Sequence, residues 1–424
     1  MNIIKRYLWL YASVILFFSA CRESERFQMS ADDNIPPSPP ENVRGVALNG
    51  AIRIYYDIPK DEDLMSIEAK CGRNVFAVSF YTDSIDVKGL YELKEYEVEV
   101  YAVDKAGNRS KSETVRVTPL ESAIAMIAKT FHVLPGFGGF VIHWKNELME
   151  TANVFVEYEF TQDGVKRELM TVFSSNDSLG YAIIENLTLP ENEQVKVKVS
   201  VGDRFNNRTG TVDKGSLSLL YDEEIIHFDE NGKNLWSYPP EWEEPPFGGG
   251  TVQAWGNEAD GRTAAFIDGI IDDKPKEYNY TFFSNPGGYT TPYWNYMIDL
   301  GDYYELSRLI LHPRHGGEIG ARGNYFTGSD VGIFAAYLWD EDSKKWELID
   351  VYKNPMPEGQ LSELQWYRLG RAGHMHYLYP YDPKFTKPAR WFRFECRNSF
   401  GNNYTDGPPP CVSELRLFSK SKIK

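Results

Sequence analysis

Residues 96–110, YEVEVYAVDKAGNRS, and residues 195–209, VKVKVSVGDRFNNRT, decide the fold. In both, apolar side chains alternate with polar ones, the period of two that puts successive residues on opposite faces of a half-buried strand. Each run breaks at an aspartate and closes on an Asn-Arg pair: Asp104 with Asn108 and Arg109, Asp203 with Asn207 and Arg208. Asp accepts hydrogen bonds from turn amides and Asn tolerates positive φ, so the two breaks read as the same turn. Upstream, Ile52-Arg53-Ile54-Tyr55-Tyr56 has its counterpart in Phe140-Val141-Ile142-His143-Trp144. A plan stated twice predicts two copies of one β-module.

The rest of the composition agrees. Apolar segments are short, rich in Tyr, Phe and Trp, and separated by Gly, Asn, Asp and Pro, which points to an all-β protein. Net charge is −16 with acidic and basic residues interspersed. Phosphate backbones need a concentrated basic surface, so nucleic acid is excluded as a partner. Cys71, Cys396 and Cys411 form neither a metal-ligand cluster nor a dense disulfide framework. Export would allow Cys396 and Cys411 to bridge, or both to stand as thiols.

The first module resembles a fibronectin type III domain. Leu90, Tyr96 six residues on, and the Asp-Gly-Asn turn after Val103 carry the resemblance. It implies that Tyr96 packs its ring inward and hydrogen-bonds its hydroxyl to nearby backbone. The expected spans are 42–119 for this sandwich and 120–221 for the second.

Export is written at the start. In residues 1–21, MNIIKRYLWLYASVILFFSAC, Lys5 and Arg6 precede an apolar run from Leu8 to Phe18, then small residues and Cys21. That is a secretory signal, its apolar run short of the roughly 20 residues a spanning helix needs. Phe18-Ser19-Ala20-Cys21 resembles the lipobox of bacterial lipoproteins, which implies cleavage after residue 20 and lipid on Cys21. Residues 21–41 end in Pro36-Pro37-Ser38-Pro39-Pro40 and read as an extended tether or a disordered leader.

Eight of the ten tryptophans lie from Trp236 onward. Residues 236–250, WSYPPEWEEPPFGGG, read as a linker or as a strap over the next domain, with Trp236 and Trp242 favouring the strap. Beyond it come Asp268-Gly269, Asp299-Leu300-Gly301, Leu306 to Arg314, Ala389-Arg390-Trp391 and Val412 to Phe418. In this order they resemble a discoidin, or coagulation factor five/eight type C, domain, which implies a β-jelly roll over 222–424. Trp391 stands where that family usually has Tyr, and 314–330 and 354–384 are long insertions.

An exported lipoprotein with two sandwiches and a discoidin-like end resembles the surface lipoproteins of Bacteroidetes polysaccharide-utilisation loci. The resemblance implies polysaccharide or oligosaccharide binding at the cell surface, an outer-membrane lipid anchor, and company with an outer-membrane glycan importer. Sugar C–H faces stack on aromatic rings, and sugar hydroxyls need planar donors and acceptors. Candidate ligand contacts are therefore Tyr289, Tyr293, Arg314, His315, Arg322, Tyr325, His374, His376 and Tyr377. His374 and His376, two apart on a strand, point the same way and could hold a metal. The discoidin resemblance also implies one structural Ca²⁺ on Asp268, Asp273 and Glu414, whose hard oxygens suit that ion.

No nucleophile elbow, zinc-protease motif or marked carboxylate pair stands in the chain, so a non-catalytic binder is the leading expectation. The alternatives are an adhesion or assembly protein holding a protein partner through the discoidin-like domain, and a cryptic glycoside hydrolase.

Overall fold

The computed structural model describes residues 33–187, 189–190, 193–237, 253–255, 265–267, 269, 271, 281–284, 294–357, 359–401 and 411–420. Cys21 and the leader lie outside them. No helix among the described residues is long and apolar enough to cross a membrane. The protein is all-β: two tandem fibronectin III-like sandwiches followed by a discoidin-like jelly roll. By its contacts the chain divides into two compact units, 1–126 with 202–209, and 127–201 with 210–424.

The first sandwich holds β1 (Glu41–Leu48), β2 (Ala51–Asp57), β3 (Leu64–Cys71), β4 (Asn74–Ser79), β5 (Ser84–Lys88), β6 (Tyr96–Asp104) and β7 (Glu113–Val117). One sheet has the order β1-β2-β5, the other β4-β3-β6-β7. Alternation does what the pattern predicts: Ile52, Ile54, Ile67, Val87, Val98 and Val100 are fully buried between the sheets, while Glu97 faces water. Tyr96 packs its ring against this core. The end of the expected tether is not free. Pro37 and Pro40 are buried, the Asn108 side chain donates to the Asp33 carbonyl at 2.9 Å, and the Ser38 N–H donates to the Asp61 carboxylate at 3.2 Å.

After the short helix α1 (Ala123–Ala128) come β8 (His132–Gly136), β9 (Gly139–Lys145), β10 (Ala152–Gln162), β11 (Val165–Ser175), β12 (Leu179–Ile184), β13 (Gln194–Gly202) and β14 (Val212–Ser218). The sheet orders, β12-β9-β8 and β11-β10-β13-β14, are those of the first sandwich. The repeated turn is the same hydrogen-bonded object twice. Asn108 N–H donates to Asp104 Oδ1 at 2.9 Å and Asn207 N–H to Asp203 Oδ1 at 3.0 Å. The amide Nδ2 of each Asn then donates to the other oxygen of its aspartate, at 2.9 and 2.8 Å.

The last domain contains β15 (Glu223–Glu224), β16 (Gln253–Trp255), β17 (Thr281–Ser284), β18 (Trp294–Tyr304), β19 (Leu306–His312), β20 (Val331–Asp340), β21 (Lys345–Lys353), α2 (Glu363–Ala372), β22 (His374–Tyr377), β23 (Ala389–Ser399), β24 (Cys411–Val412) and β25 (Glu414–Ser419). Its sheets run β15-β25-β19-β22, β18-β23-β20-β21 and β16-β17-β24. Phe266, Leu309, Phe334, Phe392, Phe394, Leu415 and Leu417 fill the space between them. The Asp-Leu-Gly and Ala-Arg motifs meet: Arg390 clamps the Asp299 carboxylate with two bonds of 2.7 Å, and Asp299 also caps Gly301 N–H in a left-handed turn. Trp236 is buried and stacks on His227 at 4.0 Å, as a strap requires. Trp242 lies outside the described residues. Cys396 and Cys411 are buried and no disulfide joins them, so the bridge left open by the sequence is not made here. Burial pushes the Cys411 thiol up to about 12.

This domain packs on the second sandwich. Tyr377, fully buried, lies edge-on to Phe137 and donates its hydroxyl to the Phe137 carbonyl at 3.1 Å, with Phe385 and Tyr181 beside it.

Candidate binding loops of the C-terminal domain

Two insertions meet beyond the ends of β19 and β20. The first, 313–330, folds around His315. Gly317 and Gly323 pass so close that a Cβ at Gly323 would fall 2.7 Å from the His315 ring and carbonyl, in a left-handed backbone that favours glycine anyway. His315 Nε2 lies 3.0 Å from the Ala321 carbonyl, which makes it the protonated nitrogen. The imidazole stacks on Tyr325 at 4.6 Å and meets the edge of Tyr367 at 5.2 Å.

The second insertion carries α2. Ser362 starts it with a capping box, its hydroxyl accepting Gln365 N–H while Gln365 Oε1 accepts Ser362 N–H at 2.9 Å. Gly370 lets the helix lie directly on Tyr325, where a Cβ would come within 2.2 Å of the ring. Arg322 ties the insertions together. Its backbone N–H donates to Glu363 Oε2 at 2.7 Å, its Nε and Nη2 donate to the Tyr325 and Phe326 carbonyls at 3.1 and 3.0 Å, and its guanidinium lies 4.1 Å over the Trp366 ring. Both partners are partly exposed. A planar cation on an indole is an amphipathic surface held in place by backbone.

Behind it the groups are dry. Phe326 meets His374 edge-on at 5.4 Å, and burial pushes the His374 imidazole down to about 4. Asp330, 1% exposed, accepts Thr327 N–H at 3.2 Å on Oδ2, while Oδ1 has no hydrogen-bond partner among the described residues, and burial pushes the carboxyl up to about 8. Arg314 reaches the Ser329 hydroxyl at 3.4 Å.

The structure thus gathers Arg314, His315, Arg322, Tyr325 and His374 into one cluster. Only Arg314 and Arg322 among them offer exposed side-chain surface; His315, Tyr325 and His374 are buried and act as its scaffold. His376 and Tyr377 belong elsewhere. His376 bonds the Asn354 side chain at 2.8 Å between Phe334 and Tyr352, and burial lowers it to about 3. Tyr377 is spent on the second sandwich and does not reach solvent, while His376, only partly buried, is held by Asn354 rather than gathered into the loop cluster. Tyr289 and Tyr293 lie outside the described residues.

Asp268 and Asp273 lie outside them as well. Glu414 is buried and accepts Gly269 N–H at 2.8 Å, which sets it against the Asp-Gly loop. Among the described residues one His/Cys/Asp/Glu group is close enough to share a cation, Asp33 with Asp63 and Asp104 in the first sandwich, and neither His374 nor His376 belongs to it. Trp366, Tyr367 and Glu363 were not among the sequence candidates. The Ser362-x-x-Gln365 box was their available signal.

Residues 37–119 match the model of a domain of unknown function (DUF4959), and residues 120–225 match another (DUF5126). No curated protein matches the chain. Solved structures similar to it include a SusE-like protein, 15% identical over 70% of this chain and 99% of that one, TM-score 0.34. An F5/8 type C domain from Bacteroides fragilis is 14% identical over 47% of this chain and 98% of that one, TM-score 0.27. A two-domain fibronectin type III segment of chicken tenascin is 10% identical over 43% and 99%, TM-score 0.21.

Proposed function

We propose that this chain is a non-catalytic cell-surface lipoprotein, anchored through Cys21, that captures polysaccharide for an outer-membrane importer. The observation that carries the binding reading is Arg322 stacked on a partly exposed Trp366. An indole offers a platform for sugar C–H faces, and the unspent guanidinium N–H groups offer donors to sugar hydroxyls. Arg314 and the buried His315–Tyr325 stack support that platform from one loop. A structural Ca²⁺ on Asp268, Asp273 and Glu414 would brace the neighbouring Asp-Gly loop with oxygen donors.

The test is affinity electrophoresis of the full chain through a broad polysaccharide panel, beside Trp366→Ala. Retardation by at least one glycan, lost in the variant at unchanged melting temperature, is the expected result. Equal retardation of both proteins would remove the site, and reducing-end release by the wild-type chain would replace binding with hydrolysis.

A further inference from the structure

We infer that β11 is an interface between two copies of this chain, paired edge to edge and antiparallel about a two-fold axis at Thr171. The strand is the outer member of its sheet and, among the described strands, is hydrogen-bonded only to β10. Its pairing runs from Gln162 with Val165 to Ala152 with Ser175 without a register shift. Among the described residues nothing covers it: Val165, Leu169, Met170 and Val172 are 44–57% exposed, and they lie on both faces of the strand. Lys166, Arg167 and Glu168 stand at one end, and Leu169 to Ser175 carry no charge.

Three other edges in the sandwiches are blunted. The counterpart β4 spans six residues and packs Phe76 and Val78 on its core, while β1 and β14 carry register shifts. A long, regular, apolar edge is a template for another strand.

The register follows from hydrogen-bond parity. Asp163 and Gly164, both at positive φ, make a two-residue hairpin turn that closes on the Gln162–Val165 hydrogen-bonded pair. Odd-numbered residues of β11 therefore bond β10, and even-numbered ones aim their N–H and C=O outward. A second copy must join even residue to even residue. With the axis at Thr171, Met170 meets Val172 and Glu168 meets Ser174 as hydrogen-bonded pairs. Leu169 then meets Phe173, Arg167 meets Ser175, and Thr171 faces itself. Moving the axis to Met170 sets Arg167 against Phe173 and Glu168 against Val172; moving it to Val172 sets Leu169 and Met170 against serines. Only the Thr171 axis matches apolar with apolar and opposes no like charges, so the strand is complementary to itself.

Sedimentation of the full chain in detergent over a concentration series tests the pairing. The expected result is a monomer–dimer equilibrium. Val172→Lys, which sets a charge against Met170 of the second copy, and Met170→Pro, which deletes an outward N–H and no bond to β10, should each weaken it about tenfold or more at unchanged melting temperature. Thr171→Cys should form an interchain disulfide on oxidation, and Glu159→Cys on β10 should not. A wild-type chain that stays monomeric overturns the inference, whatever other protein the strand captures. A dimer indifferent to both strand variants, or equal cross-linking of the two cysteine variants, also overturns it.

Discussion

The Arg322 guanidinium lies over the Trp366 ring with its Nε and Nη2 committed to the Tyr325 and Phe326 carbonyls. The backbone therefore orients the cation before any ligand arrives, and Lys cannot reproduce two bonds from one planar fork. Arg322→Lys should lower glycan affinity by between about 2- and 13-fold, the worth of one net hydrogen bond. Isothermal calorimetry on the glycan found by electrophoresis reads it, and an unchanged affinity would separate Arg322 from the site.

Gly370→Ala should loosen the same surface from below. The new methyl would meet the Tyr325 ring inside van der Waals contact, a clash costing about 1–3 kcal/mol that outweighs the small gain in helix propensity. A lower melting temperature together with a loss of His315–Tyr325 stacking, seen in near-ultraviolet circular dichroism, is expected.

Asp330 and three histidines pull stability in opposite directions with pH. The Asp330 carboxyl, raised from 3.8 to about 8, keeps in the folded state a proton that the unfolded chain releases, so stability falls as pH rises from 4 to 8. His312, His374 and His376 are lowered from 6.5 to about 4, 4 and 3, so they take up protons only on unfolding, and stability falls as pH drops below 6.5. Asp330→Asn should remove the alkaline slope and leave the acid one. Urea titration should show a gain at pH 8 over pH 5 of at least about 1.4 kcal/mol, the value of one pKa unit.

At the boundary between the second sandwich and the last domain, Tyr377→Phe should cost about 1 kcal/mol, one net hydrogen bond. Tyr377→Ala should cost about 3–5 kcal/mol, since a buried ring is replaced by a cavity. Limited proteolysis should cut residues 219–235 faster in Tyr377→Ala alone.

The sandwiches were legible where a strand buries one face: Val98 and Val100 are buried while Glu97 and Glu99 are not, although Tyr101 to Asp104 at the end of the same strand are buried on both faces. The two Asp-Asn turns were legible because their hydrogen bonds are local. Tyr377 was not. Whether a ring on a short strand meets sugar or protein depends on what packs there, and Phe137 is far away in sequence. His315 and Tyr325 were placed in the right loop with the wrong exposure, because the helix that covers them starts only at Glu363, far downstream in the chain. Their glycines, Gly323 and Gly370, encode the close approach, but a glycine alone does not say which ring comes near.

The bond from Tyr377 ends on a main-chain oxygen. Any residue at position 137 presents that same acceptor, whereas the buried Phe137 ring, edge-on to Tyr377 and Phe385, is what packing holds in place. The junction between these two domains is thus fixed twice over: the hydroxyl reads the main chain and tolerates any side chain, while the ring reads shape and admits only a residue that fills the space of Phe137.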